Sequence, residues 1–372
     1  MKDVVLNLDE LDECTAPIYS GSPVVPNGIQ FVKKRFSDYI QEGMDKEPIK
    51  CLFDEFWLEN EICVLFSDSG VGKSILAVQV ADSISKGIPI NGFKLDTKPQ
   101  TVLYFDFEMS SRQLAKRYSD GTSQYEFSRN LVRLEVDSNS IRDDGLICVE
   151  EATFDALQYE IEKSGAKVVV IDNLTFLSQQ SEDPSIALKM MKQFHYIKRR
   201  LGVSILIVSH TPKIEYGHII TKNDLQGSKN ISNFCDSIVA IGKPLYGDNK
   251  VRYIKQLKSR DSEEKYGTNN VVVCRLDKID NFLHFVFIET SEERKVMYKY
   301  GNRKEKPEPE IDFNTPYKLQ TIIEILMPFE KIGTEEQKRE RIRKRIQRGY
   351  IPYINKKGDM YFIDKKNLCT VG

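Results

Sequence analysis

A chain of 372 residues, 40% apolar and 29% charged, has room for two or three domains and lacks the bias of a disordered or membrane-embedded protein. Lys and Arg number 54 against 55 Asp and Glu, a formal net charge of -1, so the global balance does not announce a nucleic-acid binder and only local patches can supply such contacts. Seven scattered cysteines without a C-x-x-C pair exclude a zinc site or disulfide framework and point to a reducing, cytoplasmic setting; no apolar run approaches the roughly 20 residues of a membrane span.

Residues 1–47 combine Pro17, Pro23 and Pro26 with Asp9, Glu10, Asp12 and Glu13, and are read as an irregular lead-in without the basic n-region of a signal peptide. From 48 to 290 strand and helix patterns alternate, as in an α/β fold with a mostly parallel sheet. Strands are predicted at 62–67, 101–107, 130–136, 167–172, 203–209 and 236–242. The clearest helix carries Ile186, Met190, Phe194, Ile197 and Leu201 at spacings of three and four. After 250 the texture shifts to short alternating runs at 251–257, 271–276 and 282–288, and the last two are predicted to form an antiparallel edge hairpin turning within 277–281. Residues 291–316, with Pro307, Pro309 and Pro316, read as a charged linker. The tail, 317–372, has the outline of a winged helix: two helices, then a hairpin tipped by Lys356 and Lys357.

Ser67 to Ser74 reads Ser-Asp-Ser-Gly-Val-Gly-Lys-Ser between the apolar run 62–66 and a helix-like stretch. That order of strand, glycine-rich loop and helix is a phosphate-binding loop. Backbone N–H groups over Ser69, Gly70, Val71, Gly72, Lys73, Ser74 and Ile75 would cradle the polyphosphate of ATP at a helix N-terminus. Lys73 would reach the β- and γ-phosphates, and the Ser74 hydroxyl would ligate Mg²⁺. Ser67 departs from the usual pattern, which places glycine there.

Three further strand ends carry polar groups. Four aliphatic residues, 168–171, deliver Asp172, the expected second acid of the Mg²⁺ site. The strand ending at Phe107, expected to neighbour the phosphate loop, delivers Glu108, placed to activate water or merely to favour a helix N-terminus; Asp106 is a decoy or a supporting acid. His210 ends another strand near the expected γ-phosphate.

In this order the motifs resemble the RecA-like P-loop NTPases, and within them the ring-forming helicase branch of plasmid RepA and bacterial DnaB type, over roughly residues 48–290. The resemblance implies that Glu108 is the water-activating base and His210 a γ-phosphate sensor. Gly227-Ser228-Lys229-Asn230-Ile231 and Cys235-Asp236-Ser237-Ile238 are similar to segments of that family. Lys258-Ser259-Arg260 resembles its Lys-x-Arg element, making Arg260 an arginine finger for a neighbouring subunit with Lys258 beside it; a solvated strand end is the plainer alternative. The resemblance further implies a homo-oligomer, hexamer favoured, and a helicase-like role in plasmid or mobile-element replication, with single-stranded DNA met by loops 178–185 and 211–226. A switch ATPase without unwinding, or an ATP-holding DNA-binding regulator, fits the same residues. Between 331 and 366, twelve Lys and Arg face five Asp and Glu, a local excess suited to duplex DNA or simply to solvent.

Overall fold

The computed structural model describes residues 32–137, 149–173, 184–211, 218–225, 228–244, 248–299, 316–327, 334–348, 351 and 354–363. The chain divides after Ile49 into two units. In the first, helix α1 (Phe36–Met44) forms inside the segment expected to be irregular. Its Phe36, Tyr39, Ile40 and Met44 recur at helical spacing, a pattern outweighed in the sequence by the prolines upstream.

The second unit opens with a short antiparallel pair, β1 (Cys51–Phe53) and β2 (Trp57–Leu58), which leads into the main sheet. The parallel strands are β3 (Ile62–Ser67), β4 (Val102–Asp106), β5 (Leu131–Leu134), β6 (Val168–Asp172), β7 (Ser204–His210) and β8 (Ser237–Gly242), each within two residues of its predicted span. Antiparallel β9 (Val251–Lys258), β10 (Val271–Ile279) and β11 (Phe282–Ser291) extend one edge. Among the described residues the order is β11-β10-β9-β8-β3-β7-β6-β4-β5. This is an α/β fold with a mostly parallel sheet and an antiparallel edge hairpin. The edge hairpin turns on Asp280 and Asn281, both at positive φ, as a two-residue turn matched to strand twist requires.

Parallel strands covered on both faces need apolar residues at successive positions, and β3 supplies them. Cys63 and Leu65 join one core layer; Ile62, Val64 and Phe66 join the other. The first layer lies under helix α2 (Lys73–Lys86), with α3 (Ser111–Tyr118) nearby. The second is covered by α4 (Val149–Ser164), α5 (Pro184–Leu201) and α6 (Ser228–Phe234).

Helix α2 is buried almost all round because the edge hairpin folds over it. Gln79 donates its amide to the Phe285 carbonyl and accepts from the Phe285 N–H, each at 2.9 Å. At the hairpin tip, Lys278 caps the end of α3 at the carbonyls of Lys116 and Ser119.

Two predicted boundaries shift. Helix α7 (Glu293–Lys299) occupies the start of the expected linker, held by Val296 and Met297 against Val251 and Tyr253 and by a buried Lys255–Glu293 ion pair of 2.6 Å; the rest of that linker, 300–315, lies outside the described residues. In the tail, α8 (Leu319–Leu326), α9 (Glu335–Gln347), β12 (Ile354–Lys357) and β13 (Met360–Ile363) give the expected helix–helix–hairpin order. They enclose their own cluster of Ile322, Ile323, Ile342, Ile346, Ile351 and Tyr361. Cys51, Cys63, Cys235 and Cys274 are buried free thiols, and no helix among the described residues is long and apolar enough to cross a membrane.

Because Phe285 joins α2 to the hairpin, Phe285→Ala should destabilise the protein by about 3–5 kcal/mol. Urea unfolding followed by circular dichroism checks this; a loss below 1 kcal/mol would mean the hairpin contributes little to the core.

Candidate active site

The phosphate loop keeps its shape through glycine backbone freedom and support from the edge hairpin. Gly70 and Gly72 adopt φ of 69° and 118°. A side chain at Gly72 would be strained by that φ, and its Cβ would meet the Phe285 ring at 3.0 Å. Beneath the loop, buried Arg252 donates from Nε to the Val71 carbonyl at 2.7 Å, turning that oxygen away from the cradle. Burial lowers the Arg252 pKa to about 10. Ser67 is tolerated in place of glycine because it ends β3 in ordinary strand geometry; the non-glycine residues at positive φ among those described are Asp54, Asn60, Asp280 and Asn281.

Lys73 is 6% exposed and donates to the carbonyls of Ser67 and Asp68, each at 3.0 Å. Desolvation pulls its pKa down to about 8 against the opposing pull of Asp172, Glu108 and Asp68. Ser69 to Ile75 follow in order around the loop and into α2, so the predicted contact set occupies one continuous backbone turn.

Asp172 ends β6 fully buried. Its Oδ2 accepts from the Tyr104 hydroxyl at 2.6 Å, and Ser74 also hydrogen-bonds its carboxylate. Desolvation raises its pKa to about 6. Its Oδ1 is buried without a hydrogen-bond partner. A hydroxyl beside a carboxylate with an unused oxygen fits Mg²⁺, a cation that keeps most of its water and needs few protein ligands. Ser74 and Asp172 would hold it, and it would supply charge stabilisation at the phosphates.

Glu108 was expected on a strand neighbouring the loop strand. The structure corrects this: β7 and β6 lie between β3 and β4. The carboxyl edge still gathers the groups, since Asp106 pairs in register with Asp172 and His210 with Ser67. Asn173 donates its Nδ2 to Glu108 Oε2 and lies 3.3 Å from His210 Nε2; the Glu108 carboxylate and His210 are 4.0 Å apart. Burial first, then the Lys73 charge, lower the His210 pKa and favour a neutral ring.

Asp106 has a structural task. Its Oδ1 accepts from the N–H groups of Glu108 and Met109, and its Oδ2 from Arg133 Nε at 2.8 Å, so it shapes the turn that projects Glu108. Sequence reading did not assign Asn173, Arg133 or Arg252. A buried arginine within the apolar run of β9 was the available signal for Arg252; Asn173 stood beside Asp172 at a strand end.

Lys258 and Arg260 are not brought to this loop. Lys258 ends β9, and Arg260 follows it, at the amino edge of the parallel strands, where Lys258 pairs with Ile238. Lys258 Nζ donates to the carbonyls of Ser232 and Cys235, and Arg260 binds Asp236 at 2.8 Å. Of the predicted DNA loops, 178–183, 212–217 and 226 lie outside the described residues; within 218–225, Asp224 accepts from Thr221 and meets His218 at 2.8 Å.

Residues 34–215 match the family model described as an AAA domain. Over those residues the chain is similar to an AAA domain, and the loop between β3 and α2 has the form of a P-loop. No curated protein sequence matches the chain. Among solved structures, a KaiC-like protein from the hyperthermophilic archaeon Pyrococcus horikoshii OT3 is similar with a TM-score of 0.44 and 12% identity, over 62% of this chain and 91% of that one.

Lys73→Ala should abolish measurable ATP binding. Glu108→Gln should bind ATP and lose about 10²–10⁴-fold in turnover, because the phosphate contacts remain while the base is gone. Wild-type turnover in Glu108→Gln would remove the assignment.

The pKa directions set a pH window. Protonated Lys73 is the form that attracts phosphate, so ATP affinity should fall as pH rises through about 8, with proton uptake on binding. Ionised Asp172 is the form that serves Mg²⁺, so the Mg²⁺ dependence should weaken as pH drops through about 6. Calorimetric titrations in buffers of different ionisation enthalpy measure both.

Proposed function

We propose that this protein is a Mg²⁺-dependent ATPase that works on DNA as a homo-oligomeric ring, hexamer favoured, with a helicase-like role in the replication of a plasmid or other mobile element. Glu108 orients and deprotonates the attacking water, Asn173 fixes that carboxylate, Lys73 neutralises the phosphates, and His210 senses the γ-phosphate. The observation that carries the assembly is the place of Arg260. It lies at the amino edge, a strand length of about 20 Å from its own loop, so any phosphate it reaches belongs to another copy. The sequence resemblance supports the DNA motor, as do the positive α9, whose exposed Arg343 and Lys344 share one carboxylate, Glu340, and the exposed Lys356 and Lys357 of β12.

A second reading, an ATP-driven switch that needs no neighbour's arginine, is favoured by the tie of Arg260 to Asp236 within its own chain. One experiment separates the two. Arg260→Ala should keep ATP binding and lose about 10³–10⁵-fold in turnover, and mixing it with Glu108→Gln protein should restore hydrolysis at shared sites. Full turnover in Arg260→Ala, with a monomeric mass under ATP and no strand displacement by the wild type, would leave the switch.

A further inference from the structure

Helix α5 buries Met190, Met191, Phe194 and Ile197 and turns Lys192, Tyr196 and Arg199 outward along one face, at positions i, i+4 and i+7. Half-buried His195 and Phe234, the last residue of α6, meet edge-on with ring centroids 6.4 Å apart. With Arg200 these side chains line an open concavity of 460 Å³ that no carboxylate lines.

The charge here is unbalanced. Arg200 is shared between Glu162, at 3.0 Å, and the Tyr196 hydroxyl. Lys192 and Arg199 have no ion pair or hydrogen bond among the described residues. Behind them Lys198 and Arg260 both bind one buried carboxylate, Asp236, at 2.5 and 2.8 Å. His195 registers the surplus: after burial, the charges of Arg199, Lys198 and Arg260 all lower its pKa, and Asp236 alone opposes them.

We propose that this concavity binds single-stranded nucleic acid, with Lys192 and Arg199 on backbone phosphates and a base stacked on Tyr196. The inference rests on the DNA-acting reading and adds a contact surface separate from the loops and the tail. Lys192 and Arg199 stand about 10 Å apart along the helix, so two phosphates can be met with a base between them. Tyr196 is 52% exposed, and its ring already carries the Arg200 guanidinium 5.8 Å from the centroid, leaving ring surface for a base. An exposed ring between the unpaired cations Lys192 and Arg199 selects a strand with open base faces; a duplex hides them, and an acidic peptide would use the cations alone.

Fluorescence anisotropy of labelled oligo-dT with the full chain, titrated across salt concentrations, tests this. Lys192→Gln/Arg199→Gln should weaken binding at least tenfold and flatten the slope of log affinity against log salt by about 1.4, two phosphates at ~0.7 each. Tyr196→Ala should weaken binding about tenfold with the slope unchanged. Basal ATPase activity should stay at the wild-type level in both variants, which reports that the fold is intact. Unchanged affinity and slope in both variants, with firm wild-type binding, would overturn this site and leave the DNA-acting reading standing. Absence of binding by the wild type at any salt would remove both. Loss of self-association in the charge variant with strand affinity unchanged would assign the face to a second copy of the chain and overturn the proposal.

Discussion

A lysine ammonium enclosed by backbone carbonyls is the constraint on which the rest of the site depends. Burying a cation costs several kcal/mol unless opposite charge and hydrogen bonds compensate it, and the Ser67 and Asp68 carbonyls compensate Lys73 only in part. The lowered pKa records the remainder. A polyphosphate supplies the missing counter-charge, so the loop stores an affinity for that anion. The same economy explains Asp172, a buried acid with one oxygen satisfied and the other waiting for a cation or its water. Two incompletely compensated charges of opposite sign, brought together by strand ends, are the arrangement that a nucleotide with its metal would complement.

What the sequence disclosed follows the distance over which each interaction acts. The loop from Ser67 to Ser74 was legible because its glycines, lysine and serine act within one turn. The strands were legible because β3, β6 and β7 are apolar on both faces. Asp106 was ambiguous from its own neighbourhood, since its meaning lies in Arg133 on the next strand. Arg252 and Val71 are 181 residues apart, and Gln79 and Phe285 206 apart, so no local pattern announces either contact. The order of strands escaped for the same reason. An apolar run says that a strand is central without saying which strands flank it, and Glu108 was therefore placed two strands too near the loop.

The sheet divides its labour between two edges. At the carboxyl edge, Lys73, Asp172, Asn173, Glu108 and His210 converge, as strand ends do in open α/β sheets. At the amino edge the buried acid Asp236 accepts from the Ile62 N–H and holds Lys198 and Arg260. That acid ties the start of the loop strand to the end of β9 and to α5.

The chain contains one tryptophan, and its position fixes what light can report. Trp57 is 1% exposed on β2, with its indole N–H on the Glu61 carbonyl just before β3 begins. It therefore sits at the foot of the loop strand, about 20 Å from the phosphates. Its emission is that of a ring shielded from solvent, and it will shift to the red when the core opens. Nucleotide entering the far edge should leave that environment unaltered, so intrinsic fluorescence of this protein should gauge folding, and occupancy of the site is to be followed with a labelled nucleotide.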